Sequence, residues 1–231
     1  RILKEMVTEV SDTYYPDKPV VPFIKVTQDR VVLEIMRGCI RGCRFCQAGQ
    51  LYRPVRERDV EFLKKYAIAM LENTGHEEIS LSSLSSSDYQ KLPELIDFLI
   101  EECSRRKVNI SLPSLRIDAF SLDVMNKVQD VKKSSLTFAP EAGSQRLRNV
   151  INKGLTEEVI LQGAKLAFEG GWTRVKLYFM LGIPFETEED IRGIAELCNK
   201  IAAEFYDTVP KEKRNGRVQI VASTSFFIPK P

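Results

Sequence analysis

Three cysteines, Cys39, Cys43 and Cys46, fall within eight positions of "EIMRGCIRGCRFCQAGQ", residues 34–50. Thiolates are ligands for zinc and for iron–sulfur clusters. A structural zinc site closes on four ligands, usually arranged in two pairs. The two other cysteines, Cys103 and Cys198, lie in predicted helices, and the single histidine, His76, lies in a turn. None offers an obvious fourth ligand, so zinc and a run of buried thiols are the weaker readings. Three thiolates on a four-iron cluster leave one iron without a protein ligand, and an open position on a metal centre lets a substrate or cosubstrate bind.

Such a segment needs a scaffold, and the chain is long enough to supply one. Its 231 residues are 43% hydrophobic, which suffices for a sizeable core. The 34 Lys and Arg nearly balance the 32 Asp and Glu, leaving a formal charge of +2. No global excess therefore argues for a nucleic-acid or membrane partner. Locally, Arg37, Arg41, Arg44, Arg53, Arg56 and Arg58 crowd the cysteines. A solvated, charge-balanced face is the ordinary explanation, with Glu57 and Asp59 as partners; steering of an anionic substrate such as RNA is the alternative, although interleaved aromatics are lacking. No apolar run reaches the length of a membrane span, and no signal-peptide pattern opens the chain. An odd count of five cysteines, three of them clustered, predicts a reducing cytoplasm rather than a disulfide framework.

Strand and helix signals alternate along almost the whole chain. "VVLEIM", 31–36, reads as a first buried strand. Asp59 opens a helix with Phe62, Leu63, Tyr66, Ala67, Met70 and Leu71 at helical spacing, stopped by Gly75. Strands follow near 77–84, 107–112 and 133–139, separated by helices near 93–105 and from Ser121. A fourth helix is broken at "NKGL", 152–155, and restarts at Thr156. "RVKLYFML", 174–181, is the fifth strand, "TEED", 187–190, starts the fifth helix like a capping box, and "RVQIVAST", 217–224, is the sixth strand. The expected fold is α/β, a partial (β/α)6 TIM-type barrel of parallel strands, open on one side. No Gly-rich dinucleotide turn follows the first strand, which argues against a doubly wound sheet. Chemistry belongs at the carboxyl ends of the strands, where the cysteine stretch lies. Residues 1–30, with Pro16, Pro19 and Pro22, read as a lead-in segment, and 31–231 as the core domain. The start at Arg1 and the ending "FFIPKP" read as a piece cut from a longer protein.

"CIRGCRFC" fits the Cys-x3-Cys-x-aromatic-Cys pattern of the radical S-adenosylmethionine (SAM) superfamily, with Phe45 as the aromatic residue. The segment through "YRPVRER" resembles uncharacterised cobalamin-binding-type members related to the methylthiotransferases, and "FFIPKP" resembles a motif at their last strand. The resemblance implies a [4Fe-4S] cluster on Cys39, Cys43 and Cys46, with the methionine amino and carboxylate groups of SAM on the fourth iron. Reductive cleavage would then give methionine and a 5′-deoxyadenosyl radical that abstracts hydrogen from a substrate. It further implies an electron donor such as flavodoxin or ferredoxin and methyl or methylthio transfer to a large substrate, RNA or protein. Cobalamin is implied only for the full-length protein. A non-catalytic iron–sulfur or zinc-binding module of a larger assembly is the alternative.

The remaining strand-end loops are the expected SAM contacts. Ser82, Ser83, Ser85 and Ser86 stand where the superfamily binds the methionine amino end; a loose serine loop is the bland reading. Arg116 is placed to pair with the methionine carboxylate or with Asp118 or Glu141. Glu141, in "APEAGSQRLR", resembles a Glu-Ser-Gly-Ser-type segment and reads as an acceptor for ribose or ammonium, or as a helix cap. Gly182 and Pro184, in "MLGIPFET", form a turn that lets backbone approach adenine. Lys176 and Tyr178 lie on the other side of their strand from Leu177 and, if inward, face the reaction chamber. Cys103, Cys198 and Trp172 read as packing residues.

Overall fold

The computed structural model describes residues 4–11, 13–24, 26–111, 117, 136–214 and 216–230. In chain order the first elements are β1 (Val31–Glu34), β2 (Met36–Arg37), α1 (Gln47–Leu51), β3 (Arg56–Glu57), α2 (Val60–Thr74) and β4 (Glu78–Ser82). Then come α3 (Leu92–Arg106), β5 (Asn109–Ser111), β6 (Leu136–Glu141), α4 (Gln145–Val150), α5 (Glu157–Glu169), β7 (Arg174–Leu181), α6 (Glu188–Thr208) and β8 (Gln219–Phe226). The fold is α/β with parallel strands, as the alternation predicts, in two open three-stranded sheets. The chain forms two compact units, one over Arg1–Ile40 and Leu51–Ser114, the other over Arg41–Gln50 and Leu115–Pro231.

In the first unit β1, β4 and β5 pair in parallel, with Val31 opposite Ile79, Glu34 opposite Ser82 and Glu78 opposite Asn109. Val31, Leu33, Ile79 and Leu81 are buried, as are Leu63, Ala67, Leu71 of α2 and Leu95, Ile96, Leu99 of α3. Helix α2 begins where Asp59 accepts from the Phe62 amide and ends at Gly75 in the left-handed region. Phe62 and Tyr66 turn out to serve a different contact from the core. They stack 4.3 Å apart and meet the Tyr15 ring of the lead-in edge-on, at 5.7 and 5.3 Å. The lead-in is tied down further by Glu34 N–H donating to the Tyr15 hydroxyl (2.8 Å), Arg56 to the Val7 carbonyl (2.9 Å), and Arg58 to the Val10 carbonyl.

The predicted first strand is broken after Glu34. Ile35 still donates to the Ser82 carbonyl (3.0 Å), but its own carbonyl accepts from Arg58 (2.9 Å), and Met36–Arg37 then pair antiparallel with Arg56–Glu57. The physical cause is Glu34, which takes two hydrogen bonds from Arg37 and one from Arg58, pinning the chain where it leaves the sheet.

In the second unit β6, β7 and β8 are parallel, with Leu136 opposite Val175 and Val175 opposite Ile220. Phe138, Val175, Leu177, Phe179, Ile160, Ala164, Phe168, Leu197, Ile201, Phe205 and Trp172 make one core between this sheet and helices α5 and α6. Lys176 and Tyr178 therefore lie on the sheet face turned away from that core, with the Lys176 ammonium 4.7 Å from the Tyr178 ring centroid. The predicted helix break is present: α4 stops at Ile151, and α5 restarts on Thr156, whose hydroxyl accepts from Val159 (3.3 Å). The helix expected from Ser121 lies outside the described residues. Among the described residues no helix is long and apolar enough to cross a membrane.

Candidate functional site

Gly38, directly before Cys39, is fixed by geometry. Its φ is 87°, and a β-carbon would stand 2.6 Å from the Tyr52 carbonyl oxygen and 2.8 Å from that of Pro54. Only glycine fits a left-handed turn packed so closely on backbone. Beside it lies a cavity of about 540 Å3, lined by residues that include Lys4, Glu34, Arg37, Arg56, Ser82 and Ser83. That volume is within the range of small-molecule sites. It opens at the carboxyl ends of β1 and β4, since Glu34 and Ser82 are the last residues of those strands. Burial opposes ionisation of Glu34, but the hydrogen bonds and charges of Arg37 and Arg58 outweigh it and hold the carboxyl below its ordinary range.

Ser83 lines this cavity and bonds the Ser86 hydroxyl at 2.9 Å. Ser85 does not line it. Its side chain is 2% exposed, and its hydroxyl has no hydrogen-bond partner among the described residues. The serine segment is an ordered turn with two buried serines, not a loose loop.

In the second unit the stretch that carries Cys43 and Cys46 lies on the turn after α4, whereas Cys39 belongs to the first unit. The Arg44 amide donates to the Ile151 carbonyl (2.9 Å), its guanidinium donates to the Val150 carbonyl, and the Asn152 amide group donates to the Gly42 carbonyl (2.8 Å). Cys46 N–H donates to the Cys43 carbonyl (3.1 Å), and the Cys46 sulfur accepts from Gly49 N–H (3.3 Å). Phe45 packs against Ala142, Leu147, Ile151 and Ile183. Cys43 is buried; Cys39 and Cys46 are partly exposed.

Glu141 ends β6 at φ 70°, a conformation costly for a residue with a side chain, where the pairing with β7 slips between Phe138 and Glu141. Its carboxylate accepts from the Lys153 ammonium at 3.1 Å, and that ammonium stands 5.7 Å from the Phe45 ring centroid. The cap of α4 is Ser144, whose hydroxyl accepts from Leu147 (3.0 Å), so the helix-cap reading of Glu141 does not hold. Arg148, fully buried, fixes the Ala142–Ser144 turn by donating to the carbonyls of Ala142 (3.0 Å), Gly143 (2.8 Å) and Leu155 (3.2 Å).

Gly182 is in the left-handed region (φ 80°), but its N–H already donates to the Glu186 carboxylate at 2.7 Å; Pro184 is exposed beside it. Arg116 lies outside the described residues. His76 faces Asp29 at 3.5 Å. Cys103 is fully buried, which pushes its thiol up to about 11, and burial raises Cys198 as well. Both behave as packing residues. Among the described residues no group of three or more His, Cys, Asp or Glu is gathered to hold one metal ion.

Lys153, Asn152 and Arg148 are the residues that the sequence did not single out. "NKG" reads as a turn, and its only trace of a second role is a lysine between two residues suited to left-handed backbone.

The sequence model of the Radical SAM superfamily matches residues 33–198. An uncharacterised protein of Methanocaldococcus jannaschii is 41% identical over 200 residues, covering 87% of this chain and 41% of its own. A second protein of that archaeon, provisionally named a methylthiotransferase, is 27% identical over 169 residues, covering 69% of this chain and 37% of its own. The chain thus spans about two fifths of the length of these curated relatives. In fold it is similar to the radical SAM methyltransferase TsrM of Kitasatospora setae, solved with cobalamin and a [4Fe-4S] cluster bound. The TM-score is 0.60 at 12% identity, over 85% of this chain and 34% of that one. With a match over most of its length that includes all three cysteines, the chain belongs to the radical SAM superfamily.

Proposed function

We propose that this chain is the core of a radical SAM enzyme, with Cys39, Cys43 and Cys46 as the ligands of a [4Fe-4S] cluster. The observation that carries the reading is the cysteine loop itself. It lies within the superfamily match, its Cys43–Cys46 part is fixed to the second unit through Phe45 and backbone hydrogen bonds, and Cys46 sulfur already accepts an N–H. An all-thiol donor set with N–H···S bonding fits an iron–sulfur cluster. Bound there, the cluster would supply one electron, received from a donor of the flavodoxin or ferredoxin kind, to cleave SAM into methionine and a 5′-deoxyadenosyl radical.

The chain's own groups bind and orient. Ser83 offers a hydroxyl to the cavity beside Gly38, and the Ser85 carbonyl closes the same turn by accepting from the Asp88 N–H (3.0 Å). Glu141 offers the carboxylate oxygen not bound to Lys153 as an acceptor for ribose or ammonium. Arg116 is the proposed partner of the methionine carboxylate, and the backbone around Gly182 and Pro184 the proposed neighbour of adenine. The reaction is radical functionalisation, methyl or methylthio transfer, of a large substrate. Cobalamin, if used, belongs to the full-length protein.

The test is anaerobic reconstitution of the full-length protein with iron and sulfide, reduction, and addition of SAM. Formation of 5′-deoxyadenosine is expected, and its loss is expected in Cys39→Ala, Cys43→Ala and Cys46→Ala. An intact, reducible cluster that yields no nucleoside sinks the enzymatic reading.

A further inference from the structure

We infer that Lys153 is a positioning residue for the cysteine loop, one that couples Glu141 to the motif aromatic Phe45; the inference rests on the proposed cluster site. The ammonium makes two contacts at once. It donates to the Glu141 carboxylate at 3.1 Å and stands 5.7 Å from the Phe45 ring centroid. The Lys153 and Glu141 side chains are only 10% and 16% exposed, so the ion pair is shielded from water and from salt far more than a surface pair. A cation at that distance from an aromatic face is attracted to it. Phe45 stands between Cys43 and Cys46, so whatever holds its ring restricts both thiols.

The lysine is itself placed by an unusual turn. Asn152 (φ 52°) and Gly154 (φ 66°) flank it in the left-handed region, which bends the chain sharply after α4. Asn152 then anchors the turn to the Gly42 carbonyl, and Arg44 returns two hydrogen bonds to the carbonyls of Val150 and Ile151. The 150–154 turn and the 42–46 loop are thereby joined by three hydrogen bonds, and Lys153 extends the link to Glu141. Glu141 gains from this arrangement as well, because its positive φ is a strained state that persists only where partners hold it. Loss of the lysine would release the carboxylate and the ring together. Simple packing of a surface turn would not link a strained strand-end carboxylate to the aromatic of the ligand motif through one part-buried ammonium.

Two readouts test the assignment on the full-length protein. Without iron, alkylation of each cysteine is followed by mass spectrometry. Lys153→Met is expected to raise the rates at Cys43 and Cys46 several-fold, Asn152→Ala to do the same, and Lys153→Arg to restore most of the protection. Cys103, buried and unreactive, reports any general unfolding. Equal rates at Cys43 and Cys46 in wild type and Lys153→Met overturn the proposal, and so does a rise at Cys103 in parallel with them in all three variants. With the cluster reconstituted, the change that SAM causes in the electron paramagnetic resonance spectrum of the reduced protein should shrink in Lys153→Met while iron content stays near that of wild type. An unchanged spectral response counts against the coupling to Glu141. If wild type takes up no cluster at all, the proposed function fails, while the alkylation rates still decide the positioning role.

Discussion

The residue before Cys39 shows how narrowly a single position can be set. Gly38→Ala places a β-carbon against two carbonyl oxygens, at 2.6 and 2.8 Å, in a left-handed conformation. The conformation alone costs about 1–2 kcal/mol, and the clash adds to it because backbone cannot swing aside as a side chain can. The expected outcome is a lower urea midpoint; a midpoint within error of wild type would contradict the geometry. At this scale, what the sequence discloses depends on how far a residue's partners lie along the chain. The cysteines announce themselves by spacing, because their pattern lies within eight neighbouring positions. Lys153 and Asn152 do not, since their meaning comes from Glu141, Phe45 and Gly42, the last of these 110 positions away. Arg148 is hidden for a related reason. A fully buried arginine bonded mainly to carbonyls looks in sequence like any helix-surface cation.

Elements meet where such residues cannot be read singly, and Asp190 is the case in point. It forms the capping box of α6 with Thr187, the cap pairing that "TEED" forecasts, and it also binds Arg146 and Ser144 at the start of α4. The two helix starts touch through Gly143, whose hypothetical β-carbon would lie 2.3 Å from the Ile194 nitrogen and 2.6 Å from the Asp190 carbonyl oxygen. Burial opposes ionisation of Asp190, yet the bonds from Arg146, Ser144 and Thr187 prevail and hold its carboxyl well below the ordinary range. An aspartate with a depressed folded pKa stabilises the chain fully above its unfolded pKa of about 3.9, and that contribution drains away as pH falls toward the folded value. Asp190→Asn keeps the shape but removes the charge that Arg146 and the two hydroxyls bond to, so it should cost about 1–3 kcal/mol at neutral pH, the range for hydrogen bonds to a charged group, and flatten the decline of stability below about pH 4. Unfolding curves taken from pH 7 down to pH 3 measure both. A variant with the same acid slope as wild type would show that the carboxyl does not titrate as the contacts require. The strand break at Ile35 belongs to the same scale. An apolar run from Val31 to Met36 gives no hint that Glu34, bound by two arginines, ends the sheet there.

For the molecule as a whole, alternation of strand and helix was enough to identify parallel α/β architecture, because right-handed crossovers leave few other arrangements. Charge was harder to read. Six arginines around three cysteines look like an anion-binding face, while the net charge of +2 denies it. The structure shows what four of the six bind. Arg37 and Arg58 bind Glu34, Arg44 binds the carbonyls of Val150 and Ile151, and Arg56 donates to those of Val7, Tyr52 and Pro54. Arg41 and Arg53 also have partners. Arg37, Arg44, Arg56 and Arg58 thereby tie the lead-in, the short β2–β3 pair and the turn around Cys43 and Cys46 together. A protein that neutralises phosphates releases counterions, and each contact with a single strand adds about 0.7 to the slope of log affinity against log salt. In the full-length protein, Arg44→Ala and Arg56→Ala are therefore expected to lower the melting temperature while leaving the salt slope of any RNA association unchanged. Anisotropy titrations with a labelled single-stranded RNA at several salt concentrations measure that slope. A fall of about 0.7 for each arginine removed would mean that these side chains meet RNA after all, and the charge-balanced reading of the cysteine region would have to be abandoned.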